Sequence, residues 1–250
     1  GQVDLLIGTH RLLSSDVIFK DLGLLIVDEE HKFGVEHKEK IKEIKQNVDV
    51  LTLSATPIPR TLQMALTGVR GFSTINTPIE NRMPVQTYVI RKEKLAVKEI
   101  IERELARGGQ VYYLNNKIER LPNIALEIQK LVKNAKVAIA HGKLSVDEME
   151  DIMQRFINQE FNILLCTTII ENGIDIPNVN TLIIMDADHF GLSQLYQIRG
   201  RVGRGDKFAY AYLMYQPFKS LSETAVKRLN VIKEFTELGS GFSIATRDLS

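Results

Sequence analysis

The sequence predicts an α/β fold with parallel sheets in two lobes. Three observations carry this. Short apolar runs alternate with amphipathic stretches along almost all of the 250 residues, and strands that alternate with helices build parallel sheets through crossover connections. That length leans toward two ordinary domains rather than one. Residues 76–84, Asn-Thr-Pro-Ile-Glu-Asn-Arg-Met-Pro, interrupt the alternation with two prolines and little apolar content, which marks a junction between lobes.

The elements follow in order. Residues 3–7, 24–27 and 50–53 are apolar runs of strand length and are expected to be short buried strands. Residues 35–45 and 60–66 have helical spacing, the second run opened by Pro59 near its first turn. Past the junction a second series is predicted: strand 86–90, helix 94–106, strand 111–114, helix 118–132, strand 137–140 and helix 147–157. It continues through strands 163–166 and 181–185, helix 192–200 and strand 209–215. In the tail, Leu221, Ala225, Leu229, Ile232 and Leu238 are spaced for a helix that Gly239-Ser240-Gly241 would end. There is no internal repeat and no low-complexity tract.

Composition narrows the class. With 44% hydrophobic and 25% charged residues the chain reads as a globular protein able to bury real cores. No apolar run approaches the roughly 20 residues that span a bilayer. The single Cys166 excludes an intrachain disulfide and fits a reducing cytoplasm. No Cys/His cluster is spaced for zinc. The net charge is +1, so contacts to nucleic acid must come from local patches rather than a basic body.

Six strings carry chemistry. In Gln197-Ile198-Arg199-Gly200-Arg201-Val202-Gly203-Arg204, Arg201 and Arg204 stand three apart, each just after a glycine. On a helix that spacing shares a face, and paired guanidiniums suit phosphate and the charge that develops in phosphoryl transfer; a solvated basic helix is the plainer alternative. Asp28-Glu29-Glu30-His31 closes the run 24–27. A carboxylate at a strand end can hold Mg²⁺ and its neighbour can polarise the attacking water. Ser54-Ala55-Thr56-Pro57 follows the next strand; its hydroxyls can bond a neighbouring loop, or be ordinary turn chemistry. Thr167-Thr168-Ile169-Ile170-Glu171-Asn172-Gly173-Ile174-Asp175-Ile176-Pro177 follows the strand 163–166. Its amides and the Thr167 and Thr168 hydroxyls suit a nucleic-acid phosphate, and Asp175 suits a ribose hydroxyl. Gly8-Thr9-His10-Arg11 and Ala140-His141-Gly142-Lys143 each follow a predicted strand and offer phosphate contacts, though a lone histidine there is more often structural.

Taken in order, these strings resemble the motifs of superfamily-two helicases. Within that superfamily, Thr52-Leu53-Ser54-Ala55-Thr56-Pro57-Ile58-Pro59-Arg60-Thr61 and Ala187-Asp188-His189-Phe190-Gly191-Leu192 are similar to the RecG/Mfd branch of double-stranded DNA translocases. Glu30, where RecG proteins usually carry Gln, and the stretch Glu80-Asn81-Arg82-Met83-Pro84-Val85-Gln86-Thr87-Tyr88 lean toward the transcription-repair-coupling members. The resemblance covers almost the whole chain.

It implies two RecA-like lobes and a set of roles. Residues 1–78 would be the latter part of the first lobe, 79–86 the linker, 87–217 the second lobe and 218–250 the start of a translocation-motif helical hairpin. Asp28 and Glu29 would serve magnesium and water, with Asp28 the metal ligand. His31, Ser54 and Thr56 would couple the nucleotide site to the rest of the motor. Gly173 and Asp175 would approach ATP from the second lobe, Arg201 and Arg204 would be arginine fingers, and Gln197 would help place them. Thr9, His10, Arg11, His141, Thr167 and Thr168 would meet nucleic acid, and Arg228 and Arg247 would fall in the translocation motif. The implied cofactors are ATP and Mg²⁺. The implied partners are double-stranded DNA and, through regions outside this chain, RNA polymerase and excision-repair proteins.

One departure is large. No Gly-x-x-x-x-Gly-Lys-[Ser/Thr] phosphate loop occurs in the sequence. The expectation is therefore a piece of a motor that would by itself hydrolyse ATP negligibly. Asn172, where Thr is commoner, removes one hydroxyl contact. A RecG-type fork-remodelling helicase and a non-catalytic nucleic-acid-binding module remain the alternatives.

Overall fold

A computed structural model of the chain describes residues 3–30, 33–54, 73, 75, 84–168, 176–216 and 221–234. The predicted helix 60–66 and most of the predicted junction lie outside them. The chain divides into two compact units, Gly1–Val69 and Arg70–Ser250, and each is described by itself.

The first unit holds two parallel strands, β1 (Leu24–Asp28) and β2 (Asp49–Leu53), joined by helix α1 (Val35–Ile44). Strand residues alternate between faces. Val27 and the α1 residue Ile41 are buried. The other face leaves Leu24, Ile26, Leu51 and Leu53 between 43% and 53% exposed. The expectation of buried strands thus holds for one face only, because among the described residues no layer covers the other. Residues 3–7, expected as a strand, belong to no strand. An apolar run becomes a strand only where a neighbour supplies hydrogen bonds, and Val3, Leu5, Leu6 and Ile7 are all exposed.

The second unit is a six-stranded parallel sheet. Its strands are β3 (Gln86–Arg91), β4 (Gln110–Leu114), β5 (Val137–Ala140), β6 (Ile163–Cys166), β7 (Val179–Ile184) and β8 (Tyr210–Tyr215). They lie in the order β3-β8-β7-β4-β6-β5. The helices are α2 (Lys94–Ala106), α3 (Leu121–Leu131), α4 (Val146–Ile157), α5 (Leu192–Arg199) and α6 (Glu223–Glu234). The helix expected over 118–132 is in two pieces: a 3-10 turn, Ile118–Arg120, leads into α3, with Pro122 in its first turn.

Parallel strands are covered on both faces and read as continuous apolar runs. On one face Tyr112, Leu114, Leu164, Leu182 and Leu213 pack with Phe156 of α4, Leu195 and Ile198 of α5, and Leu229 and Ile232 of α6. On the other, Val111, Tyr113, Leu165, Ile183 and Met214 pack with Ile101 of α2 and Leu121 and Ile128 of α3. Period-two alternation along β4 therefore feeds two cores. Chain runs from central β4 outward to β5 and β6, then returns beside β4 as β7. That reversal is a topological switch point, where open α/β sheets bind ligands beyond the carboxyl ends of their strands. Among the described residues no helix is long and apolar enough to cross a membrane.

Candidate functional site

In the first unit the acidic string sits where β1 ends. Asp28 is the last residue of β1 and is exposed. Glu29 turns the chain with φ 51°, a left-handed conformation uncommon for residues other than glycine. Its N–H donates to the Leu53 carbonyl at the end of β2 (3.0 Å). Ser54 Oγ then donates to Glu29 Oε1 at 3.4 Å. The first hydroxyl of the Ser-Ala-Thr string thus touches the second carboxylate of the acidic string. Glu30 is held differently, by Thr52 Oγ1 (3.2 Å) and Lys45 Nζ (3.5 Å); the sequence reading missed this pair, and no spacing rule links residues 30, 45 and 52. His31 and Thr56 lie outside the described residues.

Thr9 caps a 3-10 turn, His10–Leu13, by accepting from the Arg11 N–H. The His10 ring stands edge-on to His37 of α1, 5.1 Å between centroids. Arg11 makes a two-pronged pair with Asp16 (2.7 and 2.6 Å) that raises its own pKa and lowers that of the carboxyl. The guanidinium expected to meet nucleic acid is occupied by an internal carboxylate.

In the second unit His141, Thr167 and Thr168 come together at the carboxyl edge. β5 and β6 are paired with Ala140 opposite Cys166, so His141 and Thr167 leave the sheet side by side. The Thr167 N–H donates to the Ala140 carbonyl (3.3 Å). His141 Nδ1 is buried with no hydrogen-bond partner among the described residues. Gly173 and Asp175 lie outside the described residues.

The arginine string is placed otherwise than expected. Helix α5 stops at Arg199 and is capped by Gly200, so Arg201 and Arg204 do not share a helical face. They stand on the turn after the helix, both half-buried. The turn is built by Arg201 N–H to the Ile198 carbonyl (3.0 Å), Val202 N–H to that of Arg199 (3.3 Å) and Arg204 Nε to that of Gly200 (3.3 Å). Gly203 has φ +74°, which an L side chain resists; the glycines shape the turn rather than clearing a helix. A Cβ on Gly205 would stand 2.9 Å from the Pro177 carbonyl oxygen, so the arginine turn abuts the end of the Thr-rich loop. Gln197 is a half-buried residue of α5.

Two further arginines tie α5 to α6. Arg199, buried, donates through Nη1 to the Ile232 carbonyl of α6 (2.6 Å) and to Thr87 Oγ1 of β3 (3.4 Å). Burial pulls its pKa down to about 10, so the group stays charged at neutral pH. In return Arg228 of α6 donates to the Phe190 carbonyl just ahead of α5 (2.6 Å). The sequence reading passed over Arg199. Its signal is position: it continues the buried stripe Leu192, Leu195 and Ile198. Arg247 lies outside the described residues.

Comparison with known proteins gives the following. Residues 1–65 match the DEAD/DEAH box helicase model and residues 92–206 the helicase conserved C-terminal domain. The chain is 64% identical, over all 250 residues, to the transcription-repair-coupling factor of Bacillus subtilis (strain 168), and 59% identical to that of Staphylococcus aureus (strain USA300). It spans 21% of the length of each. A solved structure of RecG bound to a three-way DNA junction aligns over 99% of the chain and 32% of that protein, with TM-score 0.75 and 37% identity. Yeast Dbp5 bound to RNA and ADP BeF3 aligns over 96% of the chain and 67% of that protein at TM-score 0.65; at 16% identity it is alike in fold alone.

Proposed function

Since the chain belongs to the superfamily-two helicases, in the branch that unites RecG and the transcription-repair-coupling factors, we propose that it is the motor region of an ATP-driven duplex-DNA translocase acting in transcription-coupled repair. The observation that carries this is identity of 64% along the whole chain to a transcription-repair-coupling factor. RNA polymerase and excision-repair proteins would be engaged through parts of the protein outside this span.

Among the described residues no three His, Cys, Asp or Glu gather to hold a metal. Magnesium is bound through one or two carboxylates plus nucleotide phosphates rather than by an all-protein cage. Asp28 is the carboxylate offered to it. MgATP supplies the phosphoanhydride to be broken. Glu29, held by the Leu53 carbonyl and Ser54, orients the attacking water and takes its proton. Ser54 reports the state of Glu29 to the segment that contains Thr56, and His31 adjoins the same box. Arg201 and Arg204 stabilise charge on the transferred phosphoryl group, with Gln197 supporting them. Gly173 and Asp175 approach the nucleotide from the second lobe. Thr9, His10, Arg11, His141, Thr167 and Thr168 hold the DNA backbone. The linker at 79–86 divides lobes at 1–78 and 87–217, and Arg228 and Arg247 act in the segment from 218 onward. The phosphate cradle itself is not in the sequence given, so this chain alone would turn over ATP negligibly.

The test is in the full-length protein. Glu29→Gln is expected to abolish DNA-stimulated ATP hydrolysis while leaving duplex binding intact. Arg201→Ala and Arg204→Ala are each expected to slow turnover at saturating DNA by about 10³-fold or more, with the salt dependence of binding unchanged. Release of a stalled polymerase from DNA supports the repair reading. Fork regression without such release would replace it with the RecG reading, which the 37% identity to RecG keeps in view.

A further inference from the structure

Two strings of the second unit, the arginine turn and the Thr-rich loop, end on the same small structure. The arginine turn runs on through Gly205, Asp206 and Lys207 toward β8, and the Thr-rich loop ends at Pro177 and Asn178 ahead of β7. Both reach the turn Arg107-Gly108-Gly109, which joins α2 to β4. Gly108 takes φ +70° there, a conformation that glycine adopts without the cost of a Cβ.

Each string is bonded to this turn. Arg107 Nη2 donates to the Phe208 carbonyl (2.8 Å), and Lys207 Nζ donates back to the Arg107 carbonyl (3.0 Å). Asn178 Nδ2 donates to the Gly108 carbonyl (3.2 Å) and to Gln110 Oε1 (3.3 Å), and the Gln110 N–H donates to the Asn178 carbonyl (2.9 Å). Arg107 is itself fixed from behind. Its Nε and Nη2 both donate to Glu104 Oε2, and its guanidinium lies over the Tyr210 ring, 5.0 Å from the centroid. Glu104 is buried, and Thr181 Oγ1 of β7 donates to the same oxygen. A planar guanidinium stretched between a buried carboxylate and a carbonyl has its direction set at both ends.

The bonds fall on either side of Arg204. Val202, ahead of it, is buried in the core, and Phe208, beyond it, is held by Arg107. Groups that act on a transition state must be held to about 0.5 Å, and a misplacement of about 1 Å can cost about 10²-fold in rate. We propose that Arg107 is a positioning residue for ATP hydrolysis. From the end of α2 it holds the arginine turn in register with the end of the Thr-rich loop, and Glu104 and Asn178 complete the clamp. This rests on the reading that Arg201, Arg204 and Asp175 serve the nucleotide; Arg107 acts through those strings rather than on the nucleotide.

The experiment is steady-state ATP hydrolysis by the full-length protein at saturating duplex DNA. Arg107→Ala is expected to lower kcat about tenfold or more, with the KM for ATP and the duplex affinity within about twofold of wild type. Arg107→Lys keeps a cation beside Glu104 and a donor toward Phe208, and should recover most of the loss. Asn178→Ala with Lys207→Ala removes the other bonds to the turn and leaves the Glu104 pair intact, so it tests the clamp even if Arg107→Ala does not fold; kcat should fall about threefold or more. In an Arg204→Ala background Arg107→Ala should cost less than about twofold further, because two residues that act through one group are not additive. Ser145→Ala weakens the same unit at the start of α4, away from both strings, and is expected to leave kcat unchanged. If wild type shows no DNA-stimulated hydrolysis, or Arg201→Ala and Arg204→Ala leave it intact, the underlying reading fails and the proposal with it. If Arg204→Ala slows turnover while Arg107→Ala and the Asn178/Lys207 pair match wild type, the clamp is refuted and the reading stands. Full additivity with Arg204→Ala, or an equal loss in Ser145→Ala, would make Arg107 a residue of stability alone and overturn the proposal.

Discussion

Asp16 shows how one residue can set what another is free to do. Its carboxylate grips Arg11 with two short hydrogen bonds on an exposed surface. A DNA phosphate would have to displace it. Asp16→Asn is therefore expected to raise duplex affinity about two- to fivefold at low salt, the range in which exposed ion pairs act, and Arg11→Ala should cancel the gain. Anisotropy titrations of the two single variants and the double variant check this. The pH behaviour follows from the sign of the shift. Arg11 holds the Asp16 carboxyl below its ordinary range, so the pair persists above that range and is lost only as pH falls through the lowered value. The Asp16→Asn gain should thus be the same at pH 7 and pH 5.5. Arg199 is the opposite case, a buried cation whose acceptors include the Ile232 carbonyl and Thr87. Arg199→Ala should cost about 2–3 kcal/mol in urea unfolding, since it removes buried hydrogen bonds made by a charged group. Arg228→Ala, at a half-buried site, should cost about 1 kcal/mol.

Elements repeat the lesson with caps and close approaches. Helix α4 opens with a capping box in which Ser145 and Glu148 bond each other's backbone N–H. Ser145→Ala should cost about 1 kcal/mol. The Ser145 bonds also lower the pKa of Glu148, so the stability they add is present above the ordinary glutamate pKa and is lost as pH falls through the lowered one. The difference between thermal melts of wild type and Ser145→Ala should therefore narrow as pH falls from 7 through the lowered Glu148 pKa. Beyond α2, a Cβ on Gly109 would collide with the buried Glu104 carboxylate, which holds Thr181 and Arg107. Gly109→Ala should cost about 1–3 kcal/mol by overpacking, read by the same melts. Most strands and helices of the second unit were legible, because runs such as Ile163–Cys166 and the stripe of α4 are local patterns; the apolar run 3–7, which forms no strand, was misread for want of a pairing partner. The arginine turn was not. Three-apart spacing reads as a helical face unless Gly200 is known to cap and Gly203 to take a positive φ, and neither conformation is written in residue types alone. Nor was the grip of Glu30 by Thr52 and Lys45, which depends on the β1–β2 pairing.

At the scale of the whole molecule, apolar surface is unevenly covered. The second unit buries both faces of its sheet, whereas Leu24, Ile26, Leu51 and Leu53 of the first remain about half exposed. Hydrogen exchange should be slowest at the amides of β4, β6 and β7, whose residues are all buried. The first unit should exchange sooner and unfold at lower denaturant; one coincident transition for both units would contradict this. The order of strands was hidden from local pattern for the same reason that it matters: pairing is decided by residues far apart in sequence. β3 begins at Gln86 and, among the described residues, finds its ladder partner in β8, which begins at Tyr210. On a ribosome adding about 5–20 residues per second, β3 waits on the order of ten seconds for that partner to be made. Through that interval Val85 and Tyr88 have no sheet to join, and the nascent chain offers an unpaired strand to whatever meets it first. The last strand of this sheet is what makes the first one safe, so the newborn chain needs shelter for as long as the segment between them takes to translate.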